Sequence, residues 1–120
     1  MNKSIAFVFS YAPHGSSIGR EGLDAILSIS NCTREISLFF IDDGVFQLID
    51  NQKSKYILLK NYVAAFKILS LYDINNIYYC LDSMQKRGLN SNVNFVIPVI
   101  ILNTVFLKEK LTSYDYILNF

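Results

Sequence analysis

The run Ser4-Ile5-Ala6-Phe7-Val8-Phe9-Ser10 constrains this chain more than any other stretch. It is apolar almost without a break, so it has no side to offer to water. A strand of that kind has to be covered on both faces, as in a parallel sheet with helices above and below it. Further β-type runs follow at 35–41, 74–80, 95–97 and 116–118. Helix-compatible segments separate them. At 22–31, Leu23, Ile26 and Leu27 stand at i, i+3, i+4, flanked by Ala25 and Ile29. At 55–71, Leu59, Tyr62, Val63, Phe66 and Leu69 recur at helical spacing without Gly or Pro. A short helical segment at 82–87 stops at Gly88, a residue suited to a left-handed cap. Asn103 is placed to cap a last helix reaching to about 113, with Val105, Leu107 and Leu111 available for burial. Asp42-Asp43-Gly44 ends the second strand, and a helical turn is expected over 45–49. Pro98 cannot donate to a ladder, so the fourth strand is short, ends there or lies at an edge.

Strand and helix therefore alternate along the whole chain. Right-handed crossovers turn that order into an open, mostly parallel sheet of about five strands with helices on both faces. The length of 120 residues corresponds to one α/β domain over 1–120, with no linker or repeat. The charges nearly cancel, 11 basic against 10 acidic residues, and no basic stripe forms, so direct nucleic-acid binding has no electrostatic footing. The longest apolar stretch, 95–102, is well short of the about 20 residues a membrane helix needs. The early run at 5–9 is too short for a signal peptide and is broken by Tyr11-Ala12-Pro13-His14. A soluble cytoplasmic protein is expected. Hydrophobic residues make up 52% of the chain, with 8 Tyr and 9 Phe, enough to suggest buried subunit contacts. A/T-rich codons, which favour Ile, Asn, Lys, Tyr and Phe, explain the same composition equally well.

Chemistry-bearing residues are few. The loop Pro13-His14-Gly15-Ser16-Ser17-Ile18-Gly19 joins a strand to a helix, a place where anions bind, yet it fits neither G-x-G-x-x-G nor the P-loop pattern. A stand-alone flavodoxin-like domain binding a small ligand there is one reading; a tight turn using Gly15 and Gly19 is the plainer one. His14, the one histidine, has no carboxylate near it in sequence. Asp42 and Asp43 could hold Mg²⁺ in principle, but capping the turn is the simpler role. No metal and no cofactor is expected. Cys32 and Cys80 form neither a disulfide framework nor a metal motif. Cys32 reads as a packing residue at a helix end. Cys80 ends the third strand just before a helix whose backbone amides favour a thiolate, with Lys86 and Arg87 beyond. Asp82 opposes that, and a small buried hydrophobe is the plainer description.

Several motifs, in order, extend the reading. Ile5-Ala6-Phe7-Val8-Phe9-Ser10, Ala12-Pro13-His14-Gly15-Ser16 and Gly19-Arg20-Glu21-Gly22-Leu23-Asp24-Ala25 open the chain. Phe39-Phe40-Ile41, Asp43-Gly44-Val45-Phe46-Gln47-Leu48, Phe66-Lys67, Leu71-Tyr72-Asp73-Ile74, Arg87-Gly88-Leu89 and Tyr114-Asp115 follow, before Ile117-Leu118 and Phe120. Together they resemble the TusC (DsrF-like) family within the DsrE/F-like group. The stretch 96–106 is more apolar than that pattern. The resemblance implies a DsrE/F-type parallel sheet. It also implies a cytoplasmic heterohexamer with two copies each of TusB-like, TusC-like and TusD-like subunits. Such a complex carries persulfide sulfur from a TusA-like donor to a TusE-like acceptor, for 2-thiouridine at the tRNA wobble position. In the TusD-like subunits the carrier cysteine precedes a segment ending Arg-Gly, and Cys80 before Arg87-Gly88 is similar in place. TusC-like subunits are regarded as structural, so the resemblance implies a non-catalytic subunit of a sulfurtransferase complex, with Cys80 as a candidate persulfide position.

Overall fold

The computed structural model describes residues 4–11, 24–26, 28, 35–46, 74, 76–89, 95 and 98–120. Five strands form one all-parallel sheet: β1 (Ser4–Phe9), β2 (Glu35–Phe40), β3 (Asn76–Cys80), β4 (Ile100–Leu102) and β5 (Tyr116–Asn119). Their order is β4-β3-β2-β1-β5, so β1 lies inside the sheet and β4 and β5 are its edges. A 3-10 turn (Asp42–Phe46) follows β2, α1 (Leu81–Lys86) follows β3, and α2 (Thr104–Leu111) joins β4 to β5.

The doubly apolar character of β1 has the consequence expected of it. Phe7 and Phe9 enter a core on one face, with Ile36, Leu38, Phe40, Ile77, Tyr79 and Met84. Ala6 and Val8 enter a second core on the opposite face, with Phe39, Tyr78, Cys80 and Leu107. Register holds the faces apart: Phe9 pairs with Phe40 and Phe40 with Tyr79, while Val8 pairs with Phe39 and Phe39 with Tyr78. The rings of Phe9 and Phe40 stack at 5.0 Å between centroids, as do those of Phe40 and Tyr79. Phe120 extends that row past Phe9 at 5.8 Å, and Phe95 closes its other end edge-on against Tyr79 at 4.8 Å. Each such ring contributes about 1.5–3 kcal/mol by burial.

The expectation for the first helix meets the described residues only at 24–26 and 28, which are helical, with Ile26 buried in the first core. The helix expected at 55–71 lies outside them. The fourth strand needs correction. The strand paired with β3 runs beyond Pro98, from Ile100 opposite Tyr78; of 95–97 only Phe95 is described, and it forms a single bridge. A proline has no N–H for the ladder, and the short edge strand lies on its far side. Val105 is also not a core residue. It is 63% exposed, because it stands two residues before the buried Leu107 and so points from the other side of α2. The helical turn after β2 starts earlier than expected, at Asp42, whose φ of 49° bends the chain directly off the strand.

Gly44 makes that bend possible. A Cβ on it would lie 1.9 Å from the Phe9 carbonyl oxygen, so the turn closes against the end of β1 only without a side chain. Among the described residues no helix is long and apolar enough to cross a membrane. Gly44→Ala is expected to lower stability by about 1–3 kcal/mol, because β1 and the turn must separate. Gly88→Ala, in open space but at φ 75°, is expected to cost about 1–2 kcal/mol through backbone strain alone. Urea midpoints of the two variants test both values.

Candidate functional site

Cys80 is the last residue of β3 and the N-cap of α1, with extended backbone at φ −81° and ψ 114°. The strand alternates, so Tyr79 enters the first core and Cys80 the second, where the residue is 5% exposed among Val8, Phe39, Tyr78 and Leu107. Register with β4 pairs Cys80 with Leu102, and the chain then turns through Asn103 into α2. Asn103 caps that helix by accepting from the Phe106 N–H at 2.9 Å. The first residue of α2, Thr104, is thereby set over the thiol, with Oγ1 3.6 Å from Cys80 Sγ.

Thr104 also donates its hydroxyl hydrogen to the Asp82 carboxylate. A threonine hydroxyl has one hydrogen, so its remaining capacity is to accept. The order across the site is therefore Cys80 S–H to Thr104 oxygen, then Thr104 O–H to Asp82. This hydrogen-bond chain ties the ends of β3 and β4 together and gives a nearly buried thiol a polar partner.

The basic residues after Cys80 do not serve it. Arg87 Nε donates to Asp43 Oδ1 at 2.8 Å, and Nη1 to the Ser83 carbonyl at 3.3 Å. Ser83 Oγ in turn accepts from the Asp42 N–H at 2.9 Å. Lys86 is exposed. Asp43, considered above as a metal ligand, is thus the partner of Arg87, and the pair locks α1 to the turn after β2. The exposed ion pair itself adds about 0–1 kcal/mol. Gly88 ends α1 as anticipated: at φ 75° it lets the Leu89 N–H reach the Met84 carbonyl at 2.9 Å and its own N–H reach Gln85 at 3.1 Å. Met84 and Leu89 then meet in the first core. His14, Cys32 and the 13–19 loop lie outside the described residues.

The far end of α2 is held as firmly. Tyr114 stands edge-on to Phe39 at 5.6 Å and donates to Ser37 Oγ at 2.6 Å. Burial pushes the Tyr114 phenol above its ordinary 10.0, against the opposing effect of the Ser37 bond. Lys110 Nζ lies 5.5 Å from the centre of the Tyr78 ring. Thr104 is the site residue that sequence reasoning missed. Its signal was the start of the last helix, but with the fourth strand placed at 95–97 nothing brought that start to Cys80.

An open, all-parallel α/β sheet with a cysteine where its third strand meets a short helix is the class these features define. The chain belongs to the DsrE/DsrF-like family, which it matches over residues 3–120. Proteins named TusC are similar to it over 98% of this chain and 99% of their own length. That from Buchnera aphidicola of Acyrthosiphon pisum is 55% identical over 118 residues. Those from Buchnera aphidicola subsp. Schizaphis graminum and subsp. Baizongia pistaciae are 52% and 51% identical. The crystal structure of the ychN protein from E. coli has the same fold, with a TM-score of 0.77, 24% identity and coverage of 98% of this chain and 99% of that one.

Thr104→Val keeps the shape of the residue but strands both the Cys80 thiol and Asp82. A loss of about 1–2 kcal/mol in unfolding free energy is expected. Thr104→Ser, which keeps the hydroxyl, should recover most of it.

Proposed function

We propose that this chain is a mainly structural subunit of a sulfur-relay complex that passes persulfide sulfur toward 2-thiolation of the wobble uridine of tRNAs. The observation that carries the reading is similarity to proteins named TusC over nearly the full length of both chains. Membership of the DsrE/DsrF-like family supports it. The partners are TusB-like and TusD-like subunits, two copies of each with two of this chain. A TusA-like donor and a TusE-like acceptor act through the complex in the cytoplasm, and the whole of 1–120 serves as one domain.

The geometry around Cys80 favours the structural role over a carrying one. Sulfur transfer needs an accessible thiolate to attack or be attacked. The Cys80 thiol is nearly buried, spends its hydrogen bond on Thr104 and has the Asp82 carboxylate behind that hydroxyl. Its position at a strand end next to a short helix is what keeps the alternative reading, Cys80 as itself a persulfide carrier, open to test.

Co-expression with TusB-like and TusD-like chains of the same genome, followed by native mass spectrometry, should give a hexamer with two copies of each. This chain running apart from both would sink the proposal. Persulfide-selective labelling of that complex after incubation with a sulfur donor should mark a partner's cysteine and leave Cys80 unmarked; a label on Cys80 would establish the carrier reading instead.

A further inference from the structure

The cover over Cys80 is thin. Among the described residues the second core takes its helical side chains from α2 alone, Leu107 buried and Leu111 partly buried at its margin, while Ile26 and Met84 serve the first. In the first turn of α2, from Thr104 to Leu107, only Leu107 is buried. Val105 and Phe106 are already 63% and 58% exposed, so lifting the turn uncovers little more of them. The bonds of the Asn103 cap, its Oδ1 to the Phe106 N–H and its carbonyl to the Leu107 N–H, run within the turn and do not attach it to the sheet.

The two ends of α2 are held by different means. At the first turn, Leu107 packs on the sheet and the Thr104 hydroxyl donates to Asp82, with Oγ1 3.6 Å from Cys80 Sγ. Thr104 and Asp82 are both partly exposed, so water can take over that bond when the two part. At the other end, Tyr114 packs edge-on to Phe39 and donates to Ser37, which is buried inside the sheet, and Lys110 lies over Tyr78. A segment with few buried apolar contacts opens locally at a lower cost than the whole domain.

We propose that the first turn of α2 is a lid over Cys80, latched by the Thr104–Asp82 hydrogen bond, which opens by fraying while the sheet stays folded. Closed, it withholds the thiol from thiol-reactive molecules; open, it presents the thiol at the end of β3. Opening withdraws Leu107 and exchanges one bond for water. Global unfolding, the other route to the thiol, breaks the pairing of β3 with both β2 and β4. The lid acts on the same cysteine as the carrier reading but does not rest on the subunit reading. It is tested on the full chain alone, so failure of hexamer assembly and failure of the lid are separate results.

The test is N-ethylmaleimide labelling of the native chain through a series of low urea concentrations, read at the Cys80 peptide by mass spectrometry. The Cys80 rate should rise with urea at less than about half the slope of global unfolding, because only one turn opens. Thr104→Val should label about tenfold faster than the native chain, and Thr104→Ser within about twofold of it. Ile26→Val leaves a cavity in the first core, on the opposite face of the sheet. It lowers global stability but should leave the Cys80 rate within about twofold of native. A Cys80 rate that follows global unfolding through the urea series, one that Thr104→Val leaves unchanged, or one that Ile26→Val raises as much as Thr104→Val does, overturns the proposal. Should a variant fail to fold, the urea series on the native chain decides.

Discussion

The row of stacked rings Phe9, Phe40 and Tyr79 is the interaction on which the other features depend. The three come from three separate strands, sit at matched register positions, and stack at 5.0 Å spacings. A slip of one residue in any strand would turn a ring out of the first core and into the second. Pairs of this kind add about 0.5–1.5 kcal/mol beyond burial, but their larger effect is to fix which face each residue serves. Phe9 and Phe40 are the last residues of their strands and Tyr79 the last but one. The row thereby decides where Ser10, Ile41 and Cys80 emerge, and so where the turn after β2 and α1 begin.

Much of this arrangement is legible in the sequence because both faces of the sheet are buried. Unbroken apolar runs such as those in β1 and β2 leave little choice of environment, and Gly88 and Asn103 mark helix ends by their own chemistry. Failures came where a local signal gave way to pairing. The run at 95–97 has strand composition, but pairing with β3 belongs to the residues beyond Pro98. Val105 has a core residue's character, and the side of the helix it occupies is decided by Leu107. The Cys80–Thr104–Asp82 chain was half visible. Cys80 and Asp82 are neighbours in sequence, whereas Thr104 reaches them only through the register of β3 with β4.

The same register explains why the cysteine at the end of β3 is nearly buried. A cysteine at a strand end before a helix is open to the outside only if nothing crosses above it. Here α2 starts directly over the thiol, anchored by its Asn103 cap at one end and by Tyr114 on Phe39 and Ser37 at the other. Arg87, the nearby cation expected to favour a thiolate, is turned toward Asp43. The side chains around the thiol are thus committed to holding secondary structure together.

The pairing of β1 with β5 has a consequence for how the molecule reaches this state. Ser4 and Asp115 are in direct contact although 111 positions separate them. An interior strand that begins near one end of the chain thus acquires its second neighbour from the other end. Closing so long a loop is entropically slow compared with forming the contacts of β1, β2 and β3. During synthesis β1 would emerge well before β5 and wait with one edge uncovered until that later segment had left the ribosome. The sheet is therefore completed only once the β5 segment is available, and until then the β1 edge is the exposed, aggregation-prone part of the fold.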